Sequence, residues 1–298
     1  MKIGVLGPKG SYSEKAAKQW ITEQKSKDQV SLEYYSDIPD TISAIVDRTV
    51  DIGIVPIENS IEGSIGITLD MLLENDLNII GEIVVPIEHC LLSKGKLSGI
   101  RVILSHPQAL GQCRQFIKTH FENAEIRTTG STSHAAKLAN EFDEMAAIAS
   151  RESAEMYGLD ILIPNIQDRK ENHTRFVAIE AHDGVSLKTE RSSSSKDNFK
   201  TSIIIYLKKD RPGALYELIG EFAKRDINLT RIESRPSKRV LGDYIFYIDF
   251  VGHIGDAIIK DALNNITSNV GMLKMLGSYP TCNFEYNSNP DSNSNNDN

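Results

Sequence analysis

Residues 2–21 read Lys-Ile-Gly-Val-Leu-Gly-Pro-Lys-Gly-Ser-Tyr-Ser-Glu-Lys-Ala-Ala-Lys-Gln-Trp-Ile: a short apolar strand, a glycine-punctuated turn and a helix. Ala16, Ala17, Trp20 and Ile21 fall on one helical face, while Lys2–Leu6 has the length and apolarity of a buried strand. Moving outward, the same alternation returns. Asp51–Ile57 is an apolar strand, and Val102–Leu104 is another, followed after His106-Pro107 by a helix burying Leu110, Cys113, Phe116 and Ile117. Ser131-Thr132-Ser133 caps a helix whose apolar positions are Ala135, Leu138, Ala139 and Phe142, and Met145–Ala149 reads as a buried strand. Repeated strand–helix alternation predicts α/β layers around a largely parallel sheet.

The pattern stops at residues 186–198, where four consecutive serines sit among polar and charged residues. Such a stretch cannot bury enough apolar area to order itself, so 182–199 is expected to be a linker. Beyond it come a strand (Thr201–Leu207), a helix opened by Pro212 with Leu215, Leu218, Ile219, Phe222 and Ala223 in register, and strands at Asn228–Glu233 and Tyr244–Phe250. A helix from Asp256 burying Ile259, Ala262, Leu263 and Ile266, and a strand at Met272–Tyr279, close a β-α-β-β-α-β unit over 200–282, the ferredoxin-like order. The final twelve residues hold six asparagines and no apolar side chain larger than proline, so 283–298 is expected to be a disordered tail.

Composition narrows the function. The 298 residues suit about two domains, with 40% hydrophobic residues and 41 acidic against 33 basic, a formal charge of -8. An acidic chain is a poor electrostatic partner for nucleic acid. No apolar run approaches the ~18 residues that span a bilayer, and the N-terminal strand is too short for a signal peptide, so no membrane partner is expected and the location expected is cytoplasmic. Cys90, Cys113 and Cys282 are too scattered for disulfides or zinc and should be small buried hydrophobes. The seven histidines show no ligand spacing, so no metal is expected, and the glycine-rich turns match neither the P-loop nor the dinucleotide Gly-x-Gly-x-x-Gly pattern, so no nucleotide cofactor is expected either.

Four segments carry candidate chemistry. Gly7-Pro-Lys-Gly10-Ser11-Tyr-Ser13 and Gly130-Ser131-Thr132-Ser133 each open a helix, where free N–H groups suit a carboxylate or phosphate, although simple capping and turn chemistry is the more common use of such residues. Glu58-Asn59-Ser60 puts a carboxylate, an amide and a hydroxyl at a strand end, as either a substrate cluster or a self-closing turn. Asn172-His173-Thr174-Arg175-Phe176 offers an amide, an imidazole, a hydroxyl and a guanidinium suited to gripping a carboxylate, or else a surface loop with an ion pair. His106-Pro107-Gln108 resembles a helix start. Ile54-Val-Pro-Ile-Glu-Asn59 is also echoed thirty residues later by Val84-Val-Pro-Ile-Glu-His89, by chance or as paired strands where the chain passes between two lobes.

Taken in order, these segments resemble prephenate dehydratase. Gly7–Ser13, Pro56–Gly63, His106–Gln108, Ser131-Thr132 with Ala135-Ala136, and Asn172–Phe176 are similar to that family's signatures, with Ser11 where many members carry threonine. Gly213-Ala214-Leu215 and Glu233-Ser234-Arg235-Pro236 resemble the two signatures of its regulatory ACT domain. The resemblance spans residues 2 to about 281 and, as nothing precedes the first strand, implies a chain without the chorismate mutase fused in some relatives. It implies a catalytic domain at 1–181 shaped like a two-lobed type II periplasmic binding protein. Lobe 1 would hold 1–76 and 156–181, lobe 2 would hold 77–155, and the repeated strands would be hinge crossings.

The implied reaction turns prephenate into phenylpyruvate with loss of CO2 and water, inhibited by L-phenylalanine. It implies Thr174, Glu58, Asn59 and Gln108 as catalytic residues, Glu58 either as a neutral acid or as an ionised orienting group. Gly10, Ser11, Ser60, Ser131, Thr132, Arg175 and Phe176 would bind substrate. Gly213, Ala214, Leu215, Asn228, Glu233, Ser234, Arg235 and Pro236 would form the phenylalanine site, the last four as binders or as transmitters. The resemblance further implies a homodimer or homotetramer. Arogenate, the aminated analogue, is the rival substrate, and a non-catalytic sensor is the rival class.

Overall fold

The computed structural model describes residues 1–24, 29–182, 199–208, 211–238 and 242–282. The expected tail, and the expected linker apart from its end residues, lie outside the described residues. The opening stretch folds as read. β1 (Lys2–Leu6) leads through a turn to α1 (Tyr12–Glu23), where the Ser11 hydroxyl accepts from the Glu14 N–H and Ala16, Ala17 and Trp20 are buried. β2 (Ser31–Tyr35), α2 (Ile38–Val46), β3 (Ile52–Asn59), a short β4 (Gly63–Ser64), α3 (Gly66–Glu74) and β5 (Leu77–Pro86) follow. A second lobe is built from β6 (Cys90–Ser93), β7 (Val102–Ser105), α4 (Pro107–Gln112), α5 (Arg114–His120), β8 (Glu125–Thr128), α6 (Thr132–Ala139), β9 (Met145–Ala149), α7 (Arg151–Tyr157) and β10 (Asp160–Ile163). The chain returns to the first sheet as β11 (His173–Ala181).

The first sheet has the order β2-β1-β3-β11-β5, with β4 attached to β3, and the second β10-β6-β9-β7-β8. These pairings move the lobe boundaries. β5 lies beside β11 in the first sheet over its full length, and β10 pairs with β6 in the second, so lobe 2 runs from about residue 90 to 163 rather than from 77 to 155. The apolar run through β5 and β6 carries no mark of where one sheet ends. Both sheets are mixed rather than largely parallel, because the strands that cross between lobes return antiparallel to their neighbours. Only the second copy of the echoed sequence is a crossing; the first, in β3, stays in lobe 1 and flanks β11 opposite β5. Two details of lobe 2 differ as well. The single helix expected after His106-Pro107 breaks at Cys113, where the Asp168 carboxylate accepts from the Gln115 and Phe116 N–H groups and starts α5 anew. Phe142 lies past the end of α6 and is half exposed, and Ala136 is buried with Ala135 and Ala139 instead.

The C-terminal unit comprises β12 (Phe199–Leu207), α8 (Ala214–Ala223), β13 (Leu229–Pro236), β14 (Tyr244–Val251), α9 (Ala257–Asn269) and β15 (Val270–Pro280), in sheet order β13-β14-β12-β15. That is the ferredoxin-like fold the sequence predicts. Leu218, Phe222, Ile259, Ala262, Leu263 and Ile266 cover one face of this sheet through Ile203, Ile205, Phe246, Ile248 and Phe250. Its other face joins the first lobe in one core, in which Ile204, Ile245, Tyr247 and Leu276 pack with Val55, Ile79, Val177 and Ile179. The two sheets come close at Gly277 (φ 143°), where a Cβ would lie 2.2 Å from the Ile79 carbonyl oxygen, so only glycine fits. The regulatory-type domain is therefore fused to the back of the first sheet. Cys90 and Cys113 are buried and unbridged, and Cys282 is partly buried. Among the described residues no helix is long and apolar enough to cross a membrane.

Candidate active site

β3 and β11 run antiparallel, with Asn59 opposite Thr174 and Glu58 opposite Arg175. Side chains alternate along a strand, so neighbours in sequence point to opposite faces. On β11, Thr174 therefore faces outward between the lobes and Arg175 faces the C-terminal domain. β3 would break this matching were it regular, but the pairing slips: Phe176 faces Pro56 and Arg175 faces Glu58, leaving Ile57 as the extra residue of a bulge. The bulge turns Glu58 away with Arg175 and brings Asn59 round to Thr174.

The space in front of Asn59 and Thr174 is a cleft of about 620 Å³ between the lobes. The starts of four helices meet there: Ser11 and Tyr12 of α1, Asp37 and Ile38 of α2, His106 and Gln108 of α4, and Ser131 and Thr132 of α6. Free N–H groups and partial positive charge suit such a convergence to an anion. Among the described residues lining the cleft there is no lysine or arginine.

Inside the cleft a directed chain of hydrogen bonds sets the atoms' roles. Asn59 Oδ1 accepts from the backbone N–H of Ile61 and Glu62, both at 3.0 Å, which fixes the amide so that Nδ2 donates. Asn59 Nδ2 donates to Thr174 Oγ1 at 3.0 Å and to Asn172 Oδ1 at 2.9 Å. Asn172 Nδ2 in turn donates to Gln112 Oε1 at 2.7 Å, so His89 Nε2, 2.9 Å from the same oxygen, is the protonated nitrogen. Two consequences follow. Thr174 receives a hydrogen bond and keeps its own hydrogen for something in the cleft. His89 has a bare, buried Nδ1, and burial, partly offset by Gln112, holds its pKa below the ordinary imidazole value, so it is neutral.

Ser11, Asn59, Gln108, Ser131, Thr132 and Thr174 thus reach the cleft as expected. Five other expected site residues do not. Glu58 and Arg175 pair behind the sheet at 2.9 Å, because of the bulge and the strand alternation. Phe176 is core, packed with Val5, Ile54 and Ile83. Ser60 is occupied by the backbone, donating to the Glu171 carbonyl and accepting from the His173 N–H. The Gly10 N–H goes to Glu14 Oε2 and its carbonyl accepts from Ser150 and Ser153, which ties lobe 1 to lobe 2. Sequence reading missed His89 and Gln112, and both left a signal. His89 ends the echoed strand as Asn59 ends the first, and Gln112 is four residues after Gln108, on the same helical face.

In the C-terminal domain, Gly213 (φ 85°) caps α8, and Ala214 lines a groove of about 800 Å³ with Arg211, Tyr216 and Leu229. Leu215 packs into the core, and Asn228 is exposed outside the groove. Glu233–Pro236 do not line it. Glu233 accepts from Ser64 Oγ at 3.0 Å and Arg235 grips Asp70 at 3.1 Å, both on the catalytic lobe, while Ser234 and Pro236 are exposed. Within one chain the two motifs are therefore separate.

The prephenate dehydratase family model matches residues 3–184, and the ACT domain model matches residues 201–267. The chain belongs to the prephenate dehydratase family. A prephenate dehydratase of Methanocaldococcus jannaschii is 43% identical over 278 residues, covering 92% of this chain and 96% of that one. The crystal structure of an Arthrobacter aurescens prephenate dehydratase in complex with L-Phe superposes with a TM-score of 0.83 at 33% identity, covering 94% and 90% of the two chains. GqqA, described as a novel type of quorum quenching acylase, shares the fold at a TM-score of 0.81 and 28% identity, covering 95% and 99%. As a prephenate dehydratase the chain is an enzyme that dehydrates and decarboxylates prephenate.

Proposed function

We propose that the cleft of this carbon–oxygen lyase holds the prephenate dianion by the four helix starts and Gln108, and that Thr174 assists the departing hydroxyl. The observation that carries this reading is the Asn59-to-Thr174 hydrogen bond, which leaves the Thr174 hydrogen free beside the anion site. In the step, the ring–carboxylate bond breaks and CO2 leaves. Its electron pair completes the aromatic ring, and the ring C–O bond breaks with its pair on oxygen. That oxygen takes one proton and departs as water, so the prephenate dianion plus a proton becomes the phenylpyruvate anion, CO2 and water. Thr174 donates a hydrogen bond to the oxygen as charge develops there. A threonine hydroxyl is too weak an acid to surrender its proton unaided, and Glu58 faces away, so the one proton consumed is taken up from solvent. Assistance of this kind contributes about 10²–10⁴-fold.

The ACT domain supplies the sensor, with L-phenylalanine as effector. Its groove and exposed Tyr216 support pairing of C-terminal domains between subunits in a dimer or tetramer, and the location proposed is cytoplasmic. The two matched families support a division into catalytic unit, linker and sensor. Asp37 is the one acidic side chain among the described residues lining the cleft, and it suits the ammonium of arogenate as a second substrate.

The test is phenylpyruvate formation from prephenate by the purified chain, with and without L-phenylalanine, beside turnover of arogenate. Production that phenylalanine suppresses is the expected result. A folded chain that turns over neither substrate would favour the sensor.

A further inference from the structure

Arg175 and Glu58, displaced from the cleft, sit in a layer of charge between the catalytic sheet and the C-terminal sheet. The Arg175 guanidinium donates to Glu58 Oε2 from Nε at 3.1 Å and from Nη2 at 2.9 Å, and reaches Glu82 Oε2 of β5 from Nη1 at 3.4 Å. It thereby clasps the three adjacent strands β3, β11 and β5 directly behind Asn59 and Thr174. Its remaining contact comes from another domain: Nη2 donates to Asp249 Oδ2 of β14 at 2.8 Å. Asp249 is 4% exposed, and its second oxygen accepts from Ser202 Oγ at 2.6 Å, which is itself bonded to Tyr279 Oη. Lys200 of β12 binds Glu82 at 2.7 Å, and Arg231 of β13 lies 3.9 Å from Glu58 and donates to Ser64 Oγ, five residues past Asn59.

The layer thus sets Arg175, Lys200 and Arg231 against Glu58, Glu82 and Asp249, and both sheets contribute to it. Burial alone would push Asp249 up, but Arg175 first, then Ser202, Arg231 and Lys200, hold its carboxyl below the usual range. An arginine fork has fixed directions, so its partners fix the strands that carry them. A buried charge that loses a partner must find another.

We propose that Asp249 is a positioning residue for the catalytic strands: through Arg175, the C-terminal domain sets the placement of Thr174 and Asn59 and transmits its liganded state to them. The inference rests on the prephenate-dehydrating reading of the cleft. The groove beside α8 lies across the same β-sheet from Asp249, and β13 touches Ser64 and Asp70 through Arg231, Glu233 and Arg235. A shift of β13 and β14 against the first lobe therefore reaches Arg175, and through one peptide unit reaches Thr174. The clasp makes the sensor domain part of the active-site scaffold.

The experiment is steady-state prephenate turnover by the full chain as parent, Asp249→Ala and Asp249→Asn, each with a phenylalanine titration and a melting curve. Asp249→Ala is expected to lower kcat about 10-fold or more, since small displacements of reacting groups cost up to about 10²-fold, with KM within about twofold. The phenylalanine concentration for half inhibition is expected to shift by about fivefold or more. Asp249→Asn keeps an acceptor for Arg175 and is expected to fall between parent and alanine. Should Asp249→Ala fail to fold, the asparagine variant decides alone. A folded variant with parental kcat and a parental phenylalanine response overturns the inference. A parent that leaves prephenate untouched overturns the reading beneath it instead.

Discussion

The two faces of the β3–β11 pair each hold a cross-strand pair of side chains, a single residue apart, and the two pairs differ in kind. On the cleft face Asn59 and Thr174 are uncharged, joined by one directed hydrogen bond, and open to a space ringed by helix starts. On the back face Glu58 and Arg175 are charged; Glu58 is partly exposed, and Arg175 is largely enclosed and closed off by Glu82 and by Asp249 of the neighbouring domain. The difference teaches that the proposed anion site would rest on backbone dipoles, since no lysine or arginine is among the described residues lining the cleft. The arginine best placed in sequence to grip a carboxylate is already saturated with carboxylates of the protein. Burial alone would lower its pKa, but Asp249, Tyr279, Glu58 and Glu82 outweigh this and keep it firmly protonated.

Substitutions on the two faces should therefore fail in different ways. The largest effect is expected at Thr174. Thr174→Ala should lower kcat about 10²–10⁴-fold with little change in KM, by steady-state assay. Its melting temperature should stay near the parent's, which would separate chemistry from scaffold. Next is Arg175→Leu, which leaves buried Asp249 without its cation and takes from Glu58 and Glu82 one of theirs. Breaking a buried pair costs about 3–5 kcal/mol, and calorimetry of the full chain should show the melting transition lowered accordingly; an unchanged transition would mean the back face is not a scaffold.

Glu58→Gln keeps an oxygen for Arg175 and lies outside the cleft, so its kcat should fall less than about tenfold, below the usual yield of a general acid. The smallest effect belongs to His89. Because its folded pKa lies below the unfolded value of about 6.5, the unfolded chain binds a proton there that the folded chain declines. Stability is fully present above pH ~6.5 and is lost as pH falls toward the folded value. Melting curves across that window should show a decline that His89→Gln reduces.

Much of this is legible in the amino-acid sequence. Helical periodicity placed α1, α8 and α9 with their buried faces, and Ser11 and Ser131 were readable as caps because a hydroxyl before an apolar run has that use. Strand alternation alone separates Thr174 from Arg175, so the arginine's departure from the cleft was readable in principle. The departure of Glu58 was not. It depends on the bulge at Ile57, a pairing slip between strands more than a hundred residues apart, for which Pro56 is only a hint. The lobe boundary stayed hidden for a like reason, since β5 and β6 are both apolar and only their partners differ. The role of Asp249 required the docking of two domains, which no local pattern encodes.

The most direct test of the two-face account is to measure phenylpyruvate formation by Thr174→Ala and Glu58→Gln side by side, both shown to be folded. The account predicts a loss of about 10²-fold or more in kcat for the threonine variant and less than about tenfold for the glutamate variant. The reverse order, with Glu58→Gln nearly inactive and Thr174→Ala nearly normal, would place the chemistry on the wrong face and contradict it.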